Sequence, residues 1–227
     1  QAEIARTFGL SKNVKVSIGS GDNMMSAIGA GAIKPGQVVA SLGTSGTLFG
    51  VSENPMTLPD SDLAPFRDAT GNHLPLYCLQ NCSSAIEEVH QSTQRSLENL
   101  TVEAANLTPA SGPLFLPYLT GERSPDWPHA SGVLFEIRPG KLQPATVFRA
   151  AIEGVSYGLY RGAQQMHQAG LEITDLRVVG GGAQNPLWCQ ILADLFQVPV
   201  MRPIETESAA LGAALQACAT DSEDFHQ

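Results

Sequence analysis

Short apolar runs that end in glycine-rich turns alternate with helical patterns along this chain of 227 residues. Val38–Thr44 and Thr47–Ser52 predict a β-hairpin, because Gly and Ser at the turn between them permit a tight reversal. Further along, Leu176–Val179 runs into three glycines, and a helical pattern follows at Pro186–Phe196. Strands that alternate with helices are typical of a layered α/β domain. The hairpin adds antiparallel neighbours, so a mixed β-sheet flanked by helices is expected.

Composition excludes several classes of protein. Hydrophobic residues make up 43% of the chain and charged residues 15%, which is enough to bury a core and is unlike a disordered protein. No apolar run approaches the ~20 residues needed to span a bilayer. The formal net charge of -9 argues against binding the phosphate backbone of a nucleic acid. A small polyanion such as ATP is still acceptable, because backbone N–H groups can bind it locally.

The four cysteines predict neither a structural zinc site nor a disulfide framework. Cys78 and Cys82 have the spacing C-x-x-x-C, but no second pair of ligands follows nearby. Free thiols in the reducing cytoplasm are the better interpretation. The first ten residues, QAEIARTFGL, have the pattern of a helix interior, so we interpret the chain as a piece of a longer protein.

Hydrophobic periodicity predicts several further elements. Val14–Gly19 has β-branched residues at alternate positions and is predicted to be a strand. Asn23–Ala32 and Ser83–Leu97 are predicted helices, and residues 53–73, rich in Pro, Asp and Asn, are predicted to be a surface loop. The helix prediction with the most regular spacing covers Pro144–Gly170, where the final glycine provides a stop signal.

The segment Gly21-Asp22-Asn23 follows the predicted first strand and precedes a helix. From spacing, Asp22 is best interpreted as an N-cap residue whose carboxylate accepts helix N–H bonds. The alternative is catalytic: a carboxylate in a cleft can act as a general base that takes a proton from an attacking hydroxyl. The residues by themselves favour the cap.

Two glycine-rich segments are candidate anion or nucleotide contacts. Gly43-Thr44 lies in the hairpin turn, where backbone N–H groups and hydroxyls can surround a phosphate, although ordinary turn chemistry explains it equally well. Gly180–Gly182 lies between a strand and a helix. Three glycines cost backbone entropy, so close approach of a ligand to this run is the favoured interpretation. Neither segment has the P-loop or Rossmann pattern.

A fourth segment, Leu116–Pro125 (LPYLTGERSP), contains adjacent opposite charges. We predict a structural loop in which Glu122 and Arg123 are exposed or paired with each other. The residues themselves give no argument for a catalytic role.

In combination these segments resemble the FGGY family of carbohydrate kinases. SGDNMMSAIGAGAIKPG, VVASLGTSGTLFGVS, RVVGGGAQNPLWCQILADLFQVPV and ESAALGAALQA are similar to successive segments of that family, over about residues 13–218. LFLPYLTGERSPDWPHASGVLF resembles the segment characteristic of its xylulose kinases. Two positions depart from the family pattern: Ser131 stands where Arg is usual, and Glu136 stands where Gly is usual.

The resemblance implies an actin-like, ribonuclease-H-like lobe, one of two that close over ATP and a sugar in the presence of Mg²⁺. It also implies roles for individual residues: a catalytic base at Asp22, a sugar contact at Asn23, phosphate contacts at Gly43 and Thr44, and nucleotide contacts at Gly181 and Gly182. The implied partners are the sugar, ATP, the absent N-terminal lobe and a second copy in a homodimer.

The activity implied is ATP-dependent phosphorylation of a pentulose, with D-xylulose and its 5-hydroxyl as the expected substrate. Two alternatives stay open. The sugar or polyol could be L-ribulose, glycerol or gluconate, because the resemblance places most of the sugar pocket in the absent lobe. The chain could also be a nucleotide-binding module without catalysis, and the isolated chain is expected to phosphorylate nothing.

Overall fold

A computed structural model describes residues 2–221 of the chain. Its central sheet has six strands, which are β1 (Gln37–Leu42), β2 (Gly46–Gly50), β3 (Ala64–Arg67), β4 (His73–Leu79), β7 (Asp175–Val179) and β8 (Val200–Met201). A separate two-stranded sheet consists of β5 (Leu114–Leu116) and β6 (Val133–Phe135). The helices are α1 (Ala2–Thr7), α2 (Asp22–Gly29), α3 (Ser83–Thr93), α4 (Leu97–Ala105), α5 (Pro144–Gln168), α6 (Pro186–Phe196) and α7 (Ser208–Asp221).

The central sheet is mixed, as the sequence predicts. Its order is β3-β4-β2-β1-β7-β8, with β1 and β2 paired as an antiparallel hairpin. Strands β1 and β7 are parallel, and Ser41 lies opposite Val179. The carboxyl ends of these two parallel strands therefore reach the same edge of the sheet, which brings the turns that follow them together.

Helix α5 covers one face of the sheet and confirms the helix predicted at Pro144–Gly170. Proline occupies the first turn, where its missing N–H costs nothing. Phe148, Ile152 and Leu159, spaced four and seven residues apart and so on one side of the helix, are fully buried in the main core. Burial of each such side chain contributes about 2 kcal/mol, so this face of the helix fixes its position on the sheet.

Helix α2 covers the opposite face, and α7 packs on α2 at glycines. A Cβ added to Gly29 would lie 1.8 Å from the Ser208 carbonyl oxygen, and one added to Gly212 would lie 1.8 Å from the Met25 carbonyl oxygen. Such backbone contact is possible only without side chains. The small residues of both helices therefore serve the close packing of α7 on the middle and end of α2.

Three sequence predictions need correction. Val14–Gly19 is not a strand: the segment pairs with no strand among residues 2–221, and Ile18 is 97% exposed. A period-2 pattern predicts a strand only where a neighbour accepts its hydrogen bonds. Residues 53–73 are not wholly a loop, since β3 lies within them. The helix predicted to reach Leu97 ends at Thr93, where Gln94 adopts a left-handed conformation (φ 52°).

Within the described range 2–221, none of the helices combines the length and apolar character that crossing a membrane requires.

Candidate functional site

The hairpin turn and the glycine run meet at the carboxyl edge of β1 and β7. Gly180 has φ 84°, and a Cβ there would lie 3.0 Å from the backbone carbon and oxygen of Leu42, the last residue of β1. A Cβ on Gly182 would lie 2.7 Å from the Leu42 Cβ and 2.5 Å from the Trp188 ring. The backbone of the glycine run thus lies directly on the strand that leads into the turn at Gly43.

The hairpin turn is anchored to the start of α3. The Gly43 carbonyl accepts the Ser83 N–H (2.9 Å), and the Thr44 carbonyl accepts the Cys82 N–H (3.1 Å) and the Ser84 hydroxyl (2.9 Å). These bonds fix the turn, while Thr44 itself is exposed. Gly43 and Thr44 therefore stand at the junction of the sheet edge and the amino end of a helix.

Asp22 lies beside the same hairpin, because the next residue, Asn23, is hydrogen-bonded to strand β2. The Asn23 side-chain oxygen accepts the Thr47 hydroxyl (3.1 Å), and Thr47 is the second residue of β2. Gly21 occupies the N-cap position of α2, and Asp22 is the first helical residue, with an exposed side chain. Its carboxylate accepts one helix N–H, that of Asn23 (2.8 Å). The N-cap interpretation of Asp22 is therefore wrong, because Gly21 is the N-cap and no side chain in the described range 2–221 caps this helix.

A cavity of about 750 Å³ opens between α3, α4 and the glycine run. This volume lies within the range usual for small-molecule and cofactor sites. The lining combines an apolar wall with polar groups and two glycines, and its residues are Ser83, Ile86, Glu87, Leu97, Glu98, Thr101, Val102, Gly181, Gly182, Gln184, Asn185, Pro186 and Trp188. Gly181 and Gly182 thus face a cavity that begins at Ser83, the residue bonded to Gly43.

Asn185 joins two walls of this cavity. Its side-chain oxygen caps α6 by accepting the N–H groups of Leu187 (3.0 Å) and Trp188 (3.2 Å). Its amide nitrogen donates to the Thr101 hydroxyl (3.1 Å) on α4. One side chain therefore sets both the start of α6 and its distance from α4, so the cavity is bounded by elements that are bonded to each other.

The segment around Glu122 differs from its prediction. Glu122 is only 3% exposed and accepts the backbone N–H of Gln80 and of Arg123. Arg123 donates instead to the Cys78 sulfur and the Gln80 side-chain oxygen, both at 3.2 Å. The two charges are therefore neither both exposed nor paired through their side chains. The segment is structural, as expected, and it secures the end of β4.

Ser131 and Glu136, the two positions that depart from the family pattern, lie in different surroundings. Glu136 has φ 55°, a left-handed conformation in which a side chain is strained and glycine is not. This explains physically why glycine is usual at the position. Ser131 is exposed and lies outside the helices and strands.

Sequence reasoning missed the α4 wall of the cavity. The pattern did contain a signal, because Ser96 is a favoured N-cap residue and its hydroxyl accepts the Asn99 N–H. Leu100 and Ala104, four residues apart, are the buried positions of this helix. Glu98, Thr101 and Val102 could thus have been placed on a short helix, although not against the glycine run.

Comparisons with known proteins agree with this architecture. The model of the FGGY family of carbohydrate kinases, C-terminal domain, matches residues 38–220. The xylulose kinase of Haemophilus influenzae is 36% identical over 223 residues, which cover 97% of this chain and 45% of the relative. The gluconokinase of Bacillus subtilis is 30% identical over 228 residues, which cover 94% of this chain and 44% of the relative.

Among solved structures, the xylulose kinase from Bifidobacterium adolescentis superposes with a TM-score of 0.81 at 31% identity, covering 92% of this chain and 42% of that one. This likeness confirms the expected actin-like α/β fold with its mixed sheet. The chain spans less than half the length of these relatives. The matched family region contains the hairpin, the glycine run and every wall of the cavity, and it begins after Asp22. The chain belongs to the FGGY family of carbohydrate kinases.

Proposed function

We propose that residues 1–227 form the nearly complete C-terminal, nucleotide-binding domain of an enzyme that transfers phosphate from ATP to a pentulose, converting D-xylulose to D-xylulose 5-phosphate. One observation carries the proposal. Gly43-Thr44, the Gly181-Gly182 run and the Asp22-Asn23 helix start lie around one edge of the sheet, next to a cavity of about 750 Å³. In this proposal an N-terminal lobe, which is absent from the chain, supplies most of the sugar pocket.

The cavity supports a specific orientation of the nucleotide. Adenine is a flat apolar group, and the wall formed by Leu97, Val102 and Trp188 offers it apolar surface. Within residues 2–221, no Lys, Arg or His side chain lines the cavity. A triphosphate is therefore better placed outside it, past Ser83 at the Gly43-Thr44 turn, where backbone and hydroxyl groups can bind anions.

The chemistry assigned to this chain is proton acceptance and positioning. The exposed Asp22 carboxylate accepts the proton of the attacking sugar hydroxyl as that oxygen approaches the γ-phosphorus. Asn23 is held by Thr47 and offers its amide nitrogen to a neighbouring hydroxyl. The hairpin turn stabilises negative charge on the transferred group. Together these groups align acceptor and donor across the sheet edge.

Mg²⁺ fits this scheme as an ion carried by the triphosphate. Among residues 2–221, no three His, Cys, Asp or Glu side chains converge on a point that could hold a metal. Magnesium in such enzymes needs one or two carboxylates besides phosphate and water oxygens. When bound, it would neutralise charge on the phosphates, and in this proposal the N-terminal lobe supplies its carboxylate, because Asp22 has to stay free to accept the proton.

The choice of sugar rests on the relatives. The xylulose kinase of H. influenzae supports D-xylulose, and the gluconokinase of B. subtilis supports a sugar acid as the second candidate. Four free cysteines support a reducing, cytoplasmic setting.

A coupled assay of ADP release tests the proposal. The complete enzyme containing this chain is given ATP with D-xylulose, L-ribulose, glycerol or gluconate, and D-xylulose should give the highest kcat/KM. Preference for gluconate would replace the substrate, and no phosphorylation of any member of the panel would refute the enzymatic proposal.

A further inference from the structure

The cavity carries two negative charges on different walls. Glu87 lies on α3 and Glu98 on α4, and both line the cavity with the glycine run. Carboxylates repel phosphate, but an ionised carboxylate is an acceptor for hydroxyl donors. These two side chains therefore select for hydroxyl-bearing parts of a ligand.

The two carboxylates differ in what they already bind. Glu87 accepts the Gln91 side-chain N–H (2.9 Å) and lies 3.4 Å from a His90 ring nitrogen. The bond from Gln91, followed by that from His90, lowers the pKa of Glu87. Glu98 is exposed, and its carboxylate has no hydrogen-bond or ion-pair partner among residues 3–220. Glu98 is thus the carboxylate of the cavity with both oxygens open to a ligand.

Neighbouring groups on α4 place Glu98 beside the apolar wall. Thr101 and Val102 follow it by three and four residues, so all three lie on one side of the helix. The Thr101 hydroxyl already donates to the Leu97 carbonyl (2.8 Å) and accepts from Asn185. The Thr101 hydroxyl proton is therefore already used in a hydrogen bond. Glu98 is then the side chain that can accept a hydrogen bond from a ligand next to the surface proposed for adenine.

We infer that the Glu98 carboxylate accepts hydrogen bonds from the 2′- and 3′-hydroxyls of the nucleotide ribose, so that the domain prefers ribonucleotides to 2′-deoxyribonucleotides. The inference rests on the proposed nucleotide-binding function. The two neighbouring hydroxyls of a ribose can donate to the two oxygens of one carboxylate. The Glu98 carboxylate is exposed and lines the cavity, so a ribose can reach it. The negative charge of Glu98 also stabilises α4, because it lies in the first turn of the helix. That effect contributes to the stability of the domain and does not distinguish ATP from 2′-deoxy-ATP.

The test is calorimetric titration of the 227-residue chain with ATP and with 2′-deoxy-ATP. The wild type should bind ATP ~10-fold tighter, the size expected for one hydrogen bond to a charged group. Glu98→Gln removes the charge and one of the two acceptor oxygens, so it should weaken ATP binding and lower the ratio of the two dissociation constants to the few-fold difference expected for a neutral hydrogen bond. Glu87→Gln removes a charge from the opposite wall and should keep the wild-type ratio.

The outcomes distinguish a failure of the ribose contact at Glu98 from a failure of nucleotide binding. If ATP binds but wild type treats the two nucleotides equally, the ribose assignment is overturned and the nucleotide site stands. The same holds if Glu98→Gln keeps the full ratio. If ATP does not bind the chain at all, the inference is overturned, whereas the proposed function is decided separately by the phosphorylation assay of the complete enzyme. The wild-type ratio needs no variant, so a folding defect in Glu98→Gln, detected by its melting temperature, cannot conceal the result.

Discussion

The cavity and the surroundings of Asp22 lie at the same edge of one sheet, yet they are built to different degrees. Three helices and the glycine run enclose the cavity, and Asn185 bonds two of its walls together. Asp22, by contrast, is exposed and follows a segment in which Val16 and Ile18 are 80% and 97% exposed. Exposed apolar side chains of this kind mark surfaces that another part of a protein covers.

The difference teaches how the work is divided in the proposed enzyme. In that proposal, the cavity is a preformed nucleotide site, and the residues around Asp22 are only one side of the acceptor site. Changes around the cavity should therefore alter nucleotide affinity in the isolated chain. Changes around Asp22 should alter turnover only when the complete enzyme is present, because closure of a second lobe excludes water and positions the sugar.

The largest effect is expected from Asp22→Asn in the complete enzyme. Asparagine preserves the oxygen that accepts the Asn23 N–H but cannot take a proton, so kcat should fall ~10²–10⁴-fold. Steady-state kinetics should find the KM for ATP little changed. Turnover close to wild type would show that Asp22 acts only at the helix start.

Gly212→Ala should destabilise the Asp22 side. The new Cβ would lie 1.8 Å from the Met25 carbonyl oxygen, so α2 and α7 must separate. The expected loss is about 3 kcal/mol, at the upper end of overpacking effects. Urea denaturation of the chain measures this loss, and an unchanged midpoint would show that the two helices are not in backbone contact.

Gly182→Ala and Gly181→Ala form a matched pair on the cavity side. The first places a Cβ 2.5 Å from the Trp188 ring, whereas the second meets nothing within 4 Å. Gly182→Ala should cost about 2 kcal/mol of stability. Gly181→Ala should leave the melting temperature unchanged and weaken ATP binding, because its Cβ points into the space proposed for the nucleotide.

The pair also separates folding from binding. If Gly181→Ala binds ATP as tightly as the wild type, the nucleotide does not approach the glycine run. That result would leave the structural role of Gly182 intact.

The smallest change in stability is expected from substitution of Glu136, which neither lines the cavity nor neighbours Asp22. Glu136→Gly relieves a left-handed conformation and should stabilise the chain by about 1 kcal/mol. Ser131→Gly is the control: its backbone needs no positive φ, so added freedom in the unfolded chain should make that variant slightly less stable. Thermal unfolding of both variants compares them, and stabilisation of neither would contradict the strain at Glu136.

The sequence predicted those elements of secondary structure that depend on the pattern of neighbouring residues. The hairpin, the long helix at Pro144–Gln168 and the helix at Pro186–Phe196 follow from periodicity and turn residues. Prediction failed where contacts with distant residues decide the structure. Val14–Gly19 has the pattern of a strand but no neighbouring strand among residues 2–221. Glu122 is buried, and the backbone N–H of the distant residue Gln80 donates to it. The cavity could not be predicted because its walls come from three separate segments of the chain that only the fold brings together.

A crystal structure of this chain with a non-hydrolysable ATP analogue tests the central claim most directly. The account predicts the adenosine between Gly181-Gly182 and α4, with the γ-phosphate at the Gly43-Thr44 turn on the side of Asp22. A nucleotide bound elsewhere on the domain, or one whose phosphates point away from the hairpin turn, would contradict it.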